Sequence, residues 1–305
     1  MPRLLRQFCN TSHVSAGTIA AQFLSKPQSL HPQIRTQLLD KNQLQQFATT
    51  LNRPMKVSTN TILPPCYHLA FFTPLQVEAE LGADGSDTPY NPDAPFTRRM
   101  WAGGELTWSG QNTLKAEQNV SETTKVLSAE AKRTKAGEDM IVVGVEKTFE
   151  NDNGVALVDR RSWIFRPAIT NPMPVAPRPT EVALSDGPHT RDFTQTAVTL
   201  FRFSALTFNG HKIHYNREWC REMEGHRDLV VHGPLNLTLI VDMWRDVVAA
   251  GKLVMPKSVV YRATHPVYAG DTYRVILEDE REKISDARVV DSFGNVCMKA
   301  NITRF

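Results

Sequence analysis

The chain has 305 residues, 41% hydrophobic and 22% charged, a composition that builds a buried core and excludes a disordered polymer or a small disulfide scaffold. No stretch reaches the roughly 18 consecutive apolar residues of a membrane-spanning helix, and Cys9, Cys66, Cys220 and Cys297 form no C-x-x-C pair, which excludes a zinc ribbon or dithiol redox motif. The net charge of +3 is local: residues 1–39 hold Arg3, Arg6, Lys26 and Arg35 and no acid, leaving −1 for the remainder and no general attraction to nucleic acid.

The acid-free start, rich in Ser, Thr, Ala and Leu with spaced arginines, reads as a mitochondrial transit segment over residues 1–39. Residues 30–52 place Ile34, Leu38, Leu39 and Phe47 at near-helical spacing before Pro54, which predicts a docking helix. Between Leu106 and Arg166 the period changes to that of strands, over 125–132, 140–150 and 155–165 with turn-like residues between them, predicting an antiparallel meander. Prolines 167, 172, 174, 177, 179 and 188 follow, so residues 167–192 read as a linker between halves at 40–166 and 193–305.

The second half opens with the apolar segment 197–206. A helix is predicted over 235–251, with Thr238, Asp242, Arg245 and Asp246 on one narrow arc and Leu239, Ile240, Val241, Met243, Trp244, Val247 and Val248 covering the rest. Pro234 suits its first turn and Gly251 its end. Strand-like segments follow at 259–269, 272–282 and 287–305, the last one folded back at Gly294-Asn295. An apolar helix with antiparallel strands predicts an α+β architecture, a sheet wrapped around a central helix, and the strands of the first half predict a related second layer.

Histidines 211, 214, 226 and 232 crowd into 22 residues. His211-x-x-His214 with Cys220 lacks the spacing of a zinc site, H-E-x-x-H is absent, and G-x-S-x-G is absent. A base with an oxyanion site fits the text better. Gly233 leaves room for a carbonyl to approach a helix N-terminus, where free N–H groups and the dipole favour developing negative charge. His214 can take and return a proton near neutral pH, whereas Asn209 can orient a hydroxyl or water but cannot transfer a proton. The residues alone leave open that His214 and His232 are structural histidines.

The segment Thr207-Phe208-Asn209-Gly210-His211-Lys212-Ile213-His214, followed 18 residues later by His232-Gly233, resembles the S-G-D-x-N-P-x-H and H-G signature of the MaoC-like, or hydratase-2, hot-dog family. Asn209 stands where that family has Asp. The variant F-N-G-H-K-I-H-Y, together with Arg98-Arg99-Met100-Trp101-Ala102-Gly103-Gly104, is similar more specifically to the fungal mitochondrial 3-hydroxyacyl-thioester dehydratases of type 2. The resemblance implies a double hot-dog, two antiparallel sheets each wrapped around a central helix. It also implies a lyase that reversibly dehydrates (3R)-hydroxyacyl thioesters to trans-2-enoyl thioesters in mitochondrial type II fatty acid synthesis, in the matrix. No metal or other cofactor is implied. The expected partners are acyl carrier protein or CoA thioesters, with neither nucleic acid nor membrane, and the chain would act as a monomer or homodimer.

By the same resemblance His214 is the acid/base, Asn209 replaces the Asp that holds the water, and Gly233 N–H polarises the thioester carbonyl. His232 and Trp101 would contact substrate. Loss of the Asp predicts single-histidine chemistry with one group near ~6.5 in the pH–rate profile. The first half, without a His and H-G pair of its own, is expected to supply tunnel walls. Two alternatives stand beside this reading: a short-chain enoyl- or mesaconyl-type CoA hydratase, and a non-catalytic acyl-thioester-binding protein.

Overall fold

In the computed structural model the described residues are 14–53, 55–248, 254–281 and 283–305. The chain starts with helices α1 (Ala16–Leu24) and α2 (Pro27–Leu30), strand β1 (Gln33–Leu38) and helix α3 (Lys41–Thr50). Four long strands follow, β2 (Arg98–Trp108), β3 (Asn119–Arg133), β4 (Asp139–Asn151) and β5 (Gly154–Arg166). The second half has β6 (His189–Thr194), helices α4 (Ala197–Leu206) and α5 (Gly233–Val247), then β7 (Ser258–Ala263), β8 (Thr272–Arg281), β9 (Ile284–Asp291) and β10 (Val296–Thr303).

These strands make one antiparallel sheet in the order β1-β3-β4-β5-β2-β7-β10-β9-β8-β6. The sheets of the two halves therefore meet edge to edge at β2 and β7, where Gly103 faces Arg262 and Gly104 faces Tyr261. Pairing these two edges leaves neither open to another chain. The seam is tight: a Cβ on Gly103 would sit 2.6 Å from the Tyr261 carbonyl oxygen, and one on Gly104 would sit 2.1 Å from that of Arg160.

In the second half α5 lies against β8, β9 and β10, burying Leu235, Leu237, Leu239, Ile240, Val241, Met243 and Trp244. This is the α+β hot-dog arrangement, a sheet curled about an apolar helix. The polar arc of α5 faces the first half. Arg53 reaches Asp246 with two hydrogen bonds of 2.5 and 2.6 Å and Asp242 at 3.5 Å, while Tyr67 Oη donates to Asp242. The first half covers its inner face differently. Ile19, Ala20 and Phe23 of α1 pack on Ile141, Val143, Val145, Trp163 and Phe165, and the short 3-10 turn Tyr67–Ala70 packs beside Phe149.

Three expected segments take a different form in the structure. Of the expected 1–39 transit segment, residues 16–38 fold onto the body, where α1 packs on β3 and β4 and β1 pairs in register with β3; residues 1–13 lie outside the described residues. The docking helix over 30–52 is instead β1 followed by α3, because Asp40 breaks the run and caps α3, accepting from Asn42 N and Gln43 N at 2.9 and 2.8 Å. The linker over 167–192 ends at His189, where β6 begins, and it is pinned to the body: Ala168 N donates to Pro95 O, Met173 N to Met223 O and Val182 N to Ser292 O. The expected helix end at Gly251 lies outside the described residues.

Candidate active site

The chain leaves α4 through Phe208, whose φ of 48° is left-handed, and Asn209 N donates back to Ser204 O at 2.8 Å. Asn209 Oδ1 accepts from His211 N at 3.0 Å, a local turn of the kind short polar side chains make. A 3-10 turn, Lys212–His214, then delivers His214 to its buried position. Its Nδ1 lies 2.7 Å from the Val230 carbonyl oxygen. A carbonyl only accepts, so Nδ1 carries the hydrogen and Nε2 is left as the basic atom.

The His214 ring stacks on that of His232, with centroids 3.6 Å apart and planes at 17°. His232 caps α5, and its Nε2 meets Ser204 Oγ at 2.9 Å while its buried Nδ1 has no partner among the described residues. Burial, reinforced by His211, drives the His214 pKa down to about 3. Burial next to His214 pulls His232 well below the usual imidazole range. Burial thus favours the neutral form of both rings at pH 7 and places the expected titration of His214 below the ordinary ~6.5.

Gly233 is the first residue of α5, and Pro234 behind it has no N–H. No backbone acceptor takes the Gly233 N–H among the described residues. A Cβ there would lie 2.5 Å from Cε3 of Trp101. That indole comes from β2 across the seam and stacks on Tyr261 at 4.6 Å. Trp101, Asn209, His214, His232 and Gly233 all line one cavity of about 810 Å³. The five residues singled out in the sequence thus converge, with one difference of detail: the Asn209 oxygen is engaged in its own turn.

Other residues of the cavity have no signature in the sequence. His211 stands edge-on to His214, 5.5 Å between centroids, with Nε2 3.5 Å from Asp84 Oδ2 and 3.8 Å from Glu224 Oε1. Burial pushes the Glu224 carboxyl up, but the nearby His211 imidazole and a hydrogen bond from Trp219 Nε1 at 2.9 Å outweigh it and hold the pKa at about 2. Asp84 arrives on a first-half loop so close to residue 210 that a Cβ on Gly85 would be 2.2 Å from the Gly210 carbonyl oxygen; φ at Gly85 is +80°, a conformation glycine adopts freely.

The wall from the first half sets buried ion pairs among apolar side chains such as Phe71, Phe72, Phe149 and Trp163. Buried Glu122 binds Lys147 at 2.9 Å and Arg35 at 3.0 Å, Arg161 binds buried Asp159 at 2.5 Å, and Arg99 pairs with Asp87. Burial lowers the Lys147 pKa against the pull of Glu122. No group of three or more His, Cys, Asp or Glu side chains among the described residues is arranged to hold a metal ion. No described helix is long and apolar enough to cross a membrane.

A hot-dog sheet, a free amide at the start of its apolar helix and a neutral buried histidine on the same cavity define a class, the hot-dog hydro-lyases of acyl thioesters. Residues 66–269 match the family described as hydroxyacyl-thioester dehydratase type 2, and the chain belongs to that family. It is 30% identical over 201 residues to a mesaconyl-C(4)-CoA hydratase of Chloroflexus aurantiacus, covering 65% of this chain and 70% of that one. It is 27% identical over 241 residues to the mitochondrial hydroxyacyl-thioester dehydratase type 2 of Schizosaccharomyces pombe, covering 72% and 79%. The fold is shared with a MaoC-like dehydratase from Phytophthora capsici, at a TM-score of 0.67 and 14% identity over 90% of this chain and 95% of that one.

Proposed function

We propose that the protein reversibly converts (3R)-hydroxyacyl thioesters, carried on acyl carrier protein or CoA, into trans-2-enoyl thioesters within mitochondrial type II fatty acid synthesis. The observation that carries the reading is the pairing of a free imidazole Nε2 on His214 with the unclaimed amide of Gly233 on one cavity. The Gly233 N–H donates to the thioester oxygen. His214 Nε2 takes a proton from Cα, and the electron pair moves into the carbonyl as an enolate-like anion held at the helix terminus. The Cβ–O bond then breaks, the enolate electrons form the Cα=Cβ bond, and the hydroxyl leaves with the proton that His214 returns, as water. An imidazolium in a site that disfavours charge is a strong acid, which suits the return step.

Asn209 shapes this site through the His211 turn, and its amide N–H groups remain to meet the leaving oxygen. The mitochondrial setting draws support from the yeast relatives, which carry that location in their names. The first-half wall offers both Phe71, Phe72, Phe149 and Trp163 for an aliphatic chain and the paired Lys147, Arg161 and Arg99 for a polar acyl group, so the second reading, a hydratase of short or polar CoA esters, is separated from the first by chain-length preference. The deciding experiment follows enoyl absorbance with 3-hydroxyacyl and enoyl thioesters of graded chain length. His214→Ala is expected to lose about 10²–10⁴-fold in kcat. Full turnover by that variant, or none by the parent protein on any thioester, overturns the assignment.

A further inference from the structure

Arg98 and Arg166 stand directly opposite each other where β2 pairs with β5, and both line the cavity. Like charges opposed across a sheet repel, so such a pair is unfavourable unless something negative sits between them. The protein provides little. Arg98 makes no ion pair among the described residues, and its guanidinium donates to Met173 Sδ at 3.6 Å. Arg166 has Glu138 at 3.9 Å, and that carboxylate is largely exposed. The Nε of each guanidinium is buried without a partner. Burial lowers the Arg98 pKa, and the adjacent Arg166 acts in the same direction, with Glu224, Glu138 and Asp84 opposing from a distance.

The placement relative to the reacting atoms is informative. Trp101, whose ring closes on Gly233, lies three residues along β2 from Arg98, roughly 10 Å at the rise of a strand and, by strand alternation, on the other face of β2, with both side chains bordering the cavity. His214 and His232 occupy the buried end of the cavity, whereas the Arg166 side chain is 36% exposed. An acyl thioester in a cell is joined through a long flexible arm to a phosphate, either the phosphodiester of a carrier protein or the phosphates of CoA. Arginine forks match phosphate oxygens with paired, charge-assisted hydrogen bonds.

We propose that Arg98 and Arg166 form the phosphate-binding site for the arm of the thioester carrier, at the open end of the cavity. The inference rests on the thioester reading above and adds to it the residues that hold the carrier. Carrier recognition is thereby divided between the halves: the second half supplies the groups at the thioester, and the first half supplies the cations for the phosphate.

The test compares one enoyl group on pantetheine, 4′-phosphopantetheine, CoA and acyl carrier protein, in the parent and in the double variant Arg98→Met/Arg166→Met. The parent is expected to favour phosphorylated carriers over pantetheine by tenfold or more in kcat/KM. The variant is expected to lose about tenfold or more on them, mainly through KM, and less than about threefold on pantetheine. A loss shared by all three phosphorylated carriers assigns the pair to the phosphate of the arm, and a loss confined to CoA assigns it to the phosphates CoA alone carries. Equal losses on pantetheine and its phosphorylated form overturn the proposal, as does a parent protein with no preference between them. Calorimetric binding of 4′-phosphopantetheine against pantetheine to the parent needs neither turnover nor a folded variant. A parent that binds the phosphorylated form selectively but hydrates nothing removes the dehydratase reading and leaves the phosphate site standing, whereas equal or absent binding removes the site.

Discussion

His214 has one proton-accepting atom because its other ring nitrogen is committed to Val230, and it has a low affinity for protons because no water reaches most of its surface. Activity needs the neutral ring, so kcat/KM is expected to stay level from pH 8 to pH 5 and to fall only as the pH approaches about 3, the folded-state value. A limb centred near the ordinary 6.5 in a pH–rate series would contradict that. Gly233 is the complementary case, a residue defined by what it lacks. Gly233→Ala sets a methyl 2.5 Å from the Trp101 ring, displacing the indole or the helix start and with it the amide N–H, and is expected to reduce kcat by up to about 10²- to 10³-fold, the range for an oxyanion donor taken out of place. Steady-state kinetics with a thermal melt separates this from unfolding, since the fold is expected to persist.

β3, β4 and β5 carry a pattern that is half core and half ion-pair network. On β4 the inward residues Ile141, Val143 and Val145 are apolar and close against α1, and the next inward position is Lys147. Glu122 on β3 balances it, with Arg35 of β1 as second partner. A buried charge that loses its partner is left in a poor solvent, which costs about 3–5 kcal/mol. Lys147→Met is expected to destabilise the protein by that order in urea unfolding. Lys147→Met with Glu122→Leu is expected to recover a large part of it, because the one cation then left without its carboxylate, Arg35, is part exposed and keeps its hydrogen bond to the Thr73 carbonyl oxygen. A single variant as stable as the parent would show that the network carries no such weight.

Taken whole, the molecule buries neutral histidines in both halves. Burial lowers the pKa of His68, His214 and His232, so their protons bind to the unfolded chain before the folded one. Stability is therefore complete above about 6.5 and drops as the pH falls from there towards the folded-state values, about 3 for His214. Glu224 and Asp159, held low by their partners, act in the same direction at lower pH, and Asp242, raised mainly by burial, opposes them. The expected loss between pH 7 and pH 5 is on the order of a few kcal/mol, read as a shift of the denaturation midpoint. A midpoint unchanged over that range would mean the histidines titrate alike folded and unfolded. The clamp of Arg53 on Asp242 and Asp246 and the β2–β7 seam make the two halves one unit, so a single transition is expected.

By itself the sequence determined what depends on short-range pattern. The period of β3 to β5 and the apolar α5 with proline in its first turn are readable because each is set by residues adjacent or one turn apart, and His214 with His232-Gly233 is readable as a motif of fixed 18-residue spacing along the chain. The stretch 30–52 misled for the same reason: near-helical spacing does not reveal that residues 33–38 find a partner strand at 119–124. Only the tertiary structure decided which distant groups share the cavity. Trp101 meets Gly233 because β2 and β7 pair, Asp84 meets His211 because a first-half loop closes on Gly210, and Arg98 opposes Arg166 through the register of β2 and β5. Burial, which sets the proton affinity of His214, is likewise a sum over the whole fold, and no local spacing encodes it.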